Sequence, residues 1–210
     1  MRTLWFGAKR RRRLIKNVFV CLCVLFCISK YSYAIDENVA IEYIEEVGQQ
    51  AINILKTPIE DLQTRELLFE KMLNNNFDKK LIHRAVLGRA SKGASKDELE
   101  RFGISFDKHI VKVYASQLGV YSNQLFIIDK AFKKGKKDTI VSSHISHETS
   151  PPLRIDWRLR DRGEGIKIID IAIEGVSLLA TKRADFGASI KKGGLHALII
   201  DLETKNAENK

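Results

Sequence analysis

I-K-I-I-D-I-A-I-E-G-V-S-L-L-A-T-K-R-A-D-F, residues 166 to 186, changes its period halfway through. The first half is rich in Ile and Ala, and Lys167, Asp170 and Glu174 are its only charges before Gly175. Both faces of such a segment are largely apolar, which predicts a strand buried on both sides over Ile166 to Glu174. Gly175 ends the pattern, as glycine does at strand ends, and Ser177 suits a helix N-cap. From there the apolar positions fall at helical spacing: Leu178, Leu179, Phe186 and Ile190, with Arg183 among them. Strand, tight turn and helix follow within about twenty residues.

Upstream of this stretch the period of two persists. Candidate strands are Gln124 to Phe132, Thr139 to His147 and Leu153 to Asp161, with Gly135 and Gly163 marking turns. Ile155, Trp157 and Leu159 share one face of the third, with Leu153. Arg154, Asp156, Arg158 and Arg160 occupy the other, as in an antiparallel sheet with one buried face. Before Leu118 the pattern is helical. Val39, Ile41, Ile44, Val47, Ile52 and Leu55 trace one stripe. Pro58 marks the start of a second helix through Leu62, Leu67, Leu68, Phe69, Met72 and Leu73, which Asn74-Asn75-Asn76 ends. A third spans Lys79 to Arg89. Ser95 with Glu98 forms a capping box for a fourth, whose apolar positions include Leu99, Phe102, Phe106, Ile110, Val113 and Tyr114. Two helices, Leu178 to Lys191 and Leu195 to Leu202, close the chain. The polar residues 204–210 read as a disordered tail. Helices, then four strands, then helices make an α+β protein.

Charge is distributed unevenly. The 210 residues hold 36 Lys or Arg against 26 Asp or Glu, a net of +10. Residues 1–34 contribute eight of the bases and no acid, which leaves 36 − 8 = 28 against 26, or +2, for the rest. Nucleic acid is therefore not an expected partner. Residues 1–34 read as a signal peptide: a basic segment K-R-R-R-R-L-I-K, an apolar run Val18 to Ile28, and Ser32-Tyr33-Ala34 with small residues at −3 and −1. Cleavage after Ala34 is expected, with an uncleaved anchor as the rival reading. The three cysteines, Cys21, Cys23 and Cys27, all lie in the apolar run, so the remaining chain is held by its core alone.

Catalytic patterns are weak. His144 and His147 fall on opposite faces of a strand, which suits no single metal. Ser177 lacks the G-x-S-x-G setting of a nucleophile. Asp170 and Glu174 share a strand face but stand about 13 Å apart, too far for a paired acid–base role. A structural role fits them better: Glu174 bonding backbone amides, or either carboxylate meeting Arg89, Arg158 or Arg183. No catalytic residue, metal or cofactor is called for. What remains is a supply of large apolar side chains, which composition alone assigns to a filled core.

The residues around the turn resemble the MlaC family of periplasmic phospholipid-binding proteins, also called toluene-tolerance proteins. That family's run reads roughly W-K-V-x-D-V-x-I-E-G-V-S-L-V-x-N-Y-R-x-x-F. Here Asp170, Glu174, Gly175, Val176, Ser177, Arg183 and Phe186 match, while Ile166, Thr181 and Lys182 depart from Trp, Asn and Tyr. A second similarity runs from Phe77-Asp78 through Ile82 to Val86-Leu87-Gly88-Arg89, with Ala90 and Ser91 where aromatic residues are usual. Tyr114-Ala115, Leu118 and Tyr121 also fit. The resemblance covers residues 36 to 203 and implies a 35–203 domain in which a curved sheet and helices enclose a pocket for acyl chains. Two tails expose roughly 30 methylenes, each worth about 0.8 kcal/mol when buried, so a carrier must cover them to move lipid through water. The inward positions expected to line the pocket are Phe69, Leu73, Phe102, Phe106 and Ile110 on helices, and Ile155, Trp157, Leu159, Ile171 and Ile173 on strands. The implied partners are phospholipid, an inner-membrane ABC transporter complex (MlaFEDB-like) and an outer-membrane lipoprotein complex (MlaA-like). Two other readings stand beside this one: a binder, sensor or enzyme for a small apolar molecule on a cone-shaped α+β scaffold, and an adaptor with a filled core.

Overall fold

Two residues set the geometry of the decisive stretch. Glu174 and Gly175 both have positive φ, 49° and 79°, as a two-residue type I′ hairpin demands. The chain therefore folds back at once, and Ile173 pairs with Val176. This adds a fifth strand to the four expected. The computed structural model describes residues 33–117, 124–147 and 150–208. All of them fall in one compact unit, Ser32–Lys210. Most of the leader, as well as Leu118, Tyr121 and residues 209–210, lies outside the described residues.

The strands are β1 (Leu125–Lys134), β2 (Asp138–His147), β3 (Ser150–Asp161), β4 (Ile166–Ile173) and β5 (Val176–Ser177). They pair in chain order, all antiparallel. Register shifts interrupt the first three pairings, the kind of bulge that bends a sheet. One of them falls opposite Arg158 and Leu159 in β4. There Ile168 and Ile169 are both buried while the rest of β4 is half-buried, short of the two-sided burial its composition suggested. On β3 the alternation is as expected: Ile155, Trp157 and Leu159 are buried. On the opposite face, Asp138 of β2 pairs with Arg158 and, at 2.5 Å, with Arg160.

Among the described residues four helices precede the sheet: α1 (Glu37–Leu55), α2 (Leu62–Asn76), α3 (Lys79–Leu87) and α4 (Lys96–Gln117). A 3₁₀ segment, Gly88–Lys92, follows α3, so that helix stops short of the expected Arg89. Side chains satisfy free amides at each start. Asp36, Asp61 and Asp78 accept from Asn38, Thr64 and Leu81, while Ser95 and Glu98 exchange bonds as a capping box. The second helix thus begins at Leu62 behind Asp61, not at Pro58, because the aspartate supplies the acceptor that proline lacks. After the sheet comes α5 (Leu178–Glu208), broken at Gly194 (φ 82°, ψ 172°), which divides it into the two segments expected. The supposed disordered tail is helical through Glu208. Asn206 is buried, donates to the Ser105 carbonyl at 2.9 Å and accepts from Lys112 Nζ at 2.6 Å. A polar segment is pinned there by one buried residue, whose side-chain amide donates and whose backbone carbonyl accepts.

Among the described residues the apolar side chains form three buried clusters. One lies between α1 and the sheet and includes Ile44, Val141, Trp157, Leu159 and Ile168. A second joins α3, α4 and α5 through Val86, Phe102, Phe106, Phe186 and Ile199. A third joins α1, α2 and α4 through Ile54, Phe69, Met72 and Val111.

Candidate functional site

Where the three clusters meet, they do not close. A cavity of about 270 Å³ lies between them, walled by members of each: Ile155 and Trp157, Val86 and Phe106, Phe69 and Met72. Packed interiors hold few voids larger than a water molecule, whereas small-molecule sites start near about 300 Å³. The volume therefore belongs with sites, not with packing defects.

Its walls are built by specific local choices. Gly48 on α1 admits the Phe126 ring from β1; a Cβ there would stand 2.3 Å from Phe126 Cε1. Phe126 in turn meets Trp157 edge to face, with centroids 6.2 Å apart. A buried indole N–H needs an acceptor. Trp157 Nε1 donates to Ser143 Oγ at 2.9 Å, and Ser143 donates to the Ile155 carbonyl. The polar atom is satisfied within the sheet while the side chain remains part of the cavity wall.

Of the residues expected to line a pocket, Phe69, Leu73, Phe106, Ile110, Ile155, Trp157, Ile171 and Ile173 do line this cavity. Phe102 and Leu159 do not. Both are fully buried, Phe102 under Phe106 and Phe186 and Leu159 in the α1–sheet cluster. Sharing a face with lining residues placed them correctly but did not reveal their depth. The sequence reading missed the contributions of α1 and α3, among them Ala51, Ile52, Leu55 and Ile82. Ile52 and Leu55 lay on the recognised apolar stripe of α1, and that stripe was the available signal.

Polar groups gather on part of the wall. Lys79 and His83 of α3 both hold Asp107 of α4, at 2.8 and 2.6 Å. Burial pushes the Asp107 carboxyl up, but hydrogen bonds from His83 and Lys79 and the charges behind them prevail and hold it below the usual carboxylate range. Lys182 of α5 lines the same cavity. Nothing in local spacing brings His83 and Asp107 together, since they lie on separate helices.

The motif residues around the turn build the site's frame. Asp170 accepts from Ser177 Oγ at 2.6 Å and from the Leu179 amide at 3.1 Å, while Ser177 caps α5 through the Ala180 amide. The Glu174 carboxylate accepts from the Arg154 amide at 2.6 Å. Among the described residues neither carboxylate pairs with Arg89, Arg158 or Arg183. Arg158 turns to Asp138, Arg89 is exposed, and Arg183 lies against Gly88, where a Cβ would meet its Nε at 3.2 Å. Val176 is exposed at the hairpin, Phe186 is buried among Phe102 and Phe106, and Tyr114 lines the cavity, where burial raises its hydroxyl pKa. His144 bonds Asp129 at 2.8 Å on the sheet.

The sequence model of one protein family, described as MlaC protein, matches residues 45–204. Among solved structures, the chain is similar to the phospholipid-binding protein from Ralstonia solanacearum, which was solved in complex with a phospholipid. The TM-score is 0.72 at 22% identity, over 80% of this chain and 97% of that one. At that identity the likeness establishes the fold.

Proposed function

Because the chain belongs to the MlaC family, we propose that it is a phospholipid carrier whose cavity takes up acyl tails. The observation that supports this most is the cavity itself, walled almost wholly by apolar side chains from helices and sheet alike. Burying methylenes there is favourable by about 0.8 kcal/mol each. The half-buried Lys79, His83, Asp107 and Lys182 mark where the wall turns polar and where a headgroup would meet water. The role needs no catalytic residue and no metal. An enzyme or sensor would call for unpaired His or Asp in the pocket, but His83 and Asp107 are bonded to each other, and this favours the carrier.

The protein would work in the periplasm. There it shuttles glycerophospholipid between an inner-membrane ABC transporter complex of the MlaFEDB kind and an outer-membrane lipoprotein complex of the MlaA kind, maintaining outer-membrane lipid asymmetry. Export would follow from the leader, with cleavage after Ala34. Ile35, the first residue left, is already buried in the α1–sheet cluster, and its carbonyl accepts from Thr139 Oγ1 at 2.7 Å. N-terminal sequencing of the periplasmic protein should begin at Ile35; a full-length, membrane-bound product would contradict export in this form.

Transfer of a fluorescent phospholipid between vesicles tests the carrier role. The purified protein should accelerate transfer, and Ile173→Glu should abolish it while leaving the circular dichroism spectrum intact. A wild-type protein that moves no lipid would overturn the reading.

A further inference from the structure

The end of the β1–β2 hairpin carries a second surface, made of residues that do not line the cavity. Lys130, Lys133, Lys134, Lys136 and Lys137 crowd its end, all exposed, and no acid lies between Asp129 and Asp138. Both flanking acids are engaged. Asp129 bonds His144, and Asp138 is held by Arg158 and Arg160. The lysines therefore form an exposed basic surface. Among them Phe132 stays 40% exposed, with Lys130 Nζ 5.8 Å from its ring centre. Lysines around a bare aromatic ring match an anionic lipid surface, where the charges meet headgroups and the ring enters the interface.

We propose that the Lys130–Lys137 hairpin is a docking surface for anionic phospholipid bilayers. It does not depend on the cavity reading, because none of residues 130–137 lines the cavity.

The test is flotation of the mature protein, residues 35–210, with two sets of vesicles. One is phosphatidylcholine alone; the other contains about one-third phosphatidylglycerol. Binding is expected only to the anionic set, and is expected to be lost between about 0.05 M and about 0.5 M salt. Lys133→Glu, Lys134→Glu, Lys136→Glu and Lys137→Glu together should weaken it at least about tenfold, and Phe132→Ser severalfold. Melting temperature and co-purified lipid should stay unchanged. Lys191→Glu with Lys192→Glu, on exposed positions of α5, is the control and should have little effect. Equal binding to neutral vesicles, an unaffected hairpin variant, or an equally weakened control would overturn the proposal. So would a protein that ignores anionic vesicles while polyglutamate shifts the hairpin's amide resonances, since the surface would then suit an acidic protein.

Discussion

Gly175 shows how much one residue can decide. Its φ of 79° is a conformation that L side chains resist, yet a Cβ there would meet nothing within 4 Å. Substitution therefore costs backbone strain alone, with no clash to confuse the reading. Gly175→Val should destabilise the protein by about 1–2 kcal/mol, a fall of about 2–8 °C in melting temperature; an unchanged value would contradict the hairpin geometry. Asp138 allows a test in solution. Burial pushes its carboxyl up, but hydrogen bonds from Arg160 and Arg158 and their charges prevail and lower its pKa. A carboxylate depressed in the folded state leaves the unfolded chain binding more protons in acid. Its contribution is complete above the ordinary Asp value of about 3.9 and is lost as pH falls through the lower folded value. Urea titrations across that range should show Asp138→Asn less stable at neutral pH, with a shallower acid decline than wild type. I-E-G-V was legible as a turn because glycine names its own backbone. Asp138 was not, since its two arginines lie on a neighbouring strand and only β-pairing brings them together.

At the scale of elements, one misplaced lining residue and one correctly placed one make the sharpest comparison. Leu159 is fully buried, whereas Ile173 lines the cavity. A glutamate at 159 has no water to reach and should cost several kcal/mol, leaving the protein unfolded or insoluble. A glutamate at 173 can be hydrated once the cavity is empty, so the fold should survive without ligand. Thermal melts of Leu159→Glu and Ile173→Glu check this, and two equally stable variants would contradict the assignment of wall and core. The capping box offers a milder test: Ser95→Ala should lower stability by about 1 kcal/mol, measured by urea denaturation. Strands and helices were largely legible, because alternation on β3 and the apolar stripes of α1 and α4 survive in local sequence. The start of α2 and the end of α5 were not. Pro58 outweighed Asp61 in a reading by residue type, and the burial of Asn206 depends on a carbonyl and a lysine about a hundred residues away.

For the whole molecule, the telling feature is that three apolar clusters share a boundary and leave it open. Apolar periodicity announces that side chains point inward, and so most of the residues it picked do line the cavity. It is silent on whether opposing faces touch, because that depends on how far helices stand from a bent sheet. The cavity was therefore expected from family resemblance and not from any pattern of residues. Its chemistry is the central claim: an apolar volume of about 270 Å³ framed by the Asp170–Ser177 and Glu174–Arg154 bonds and suited to acyl chains. The most direct measurement is organic-solvent extraction of the natively purified protein followed by mass spectrometry of the extract. The account predicts co-purified phospholipid near one molecule per chain, lost in folded Ile173→Glu. A wild-type protein that yields no phospholipid, and takes up none when offered vesicles, would contradict it.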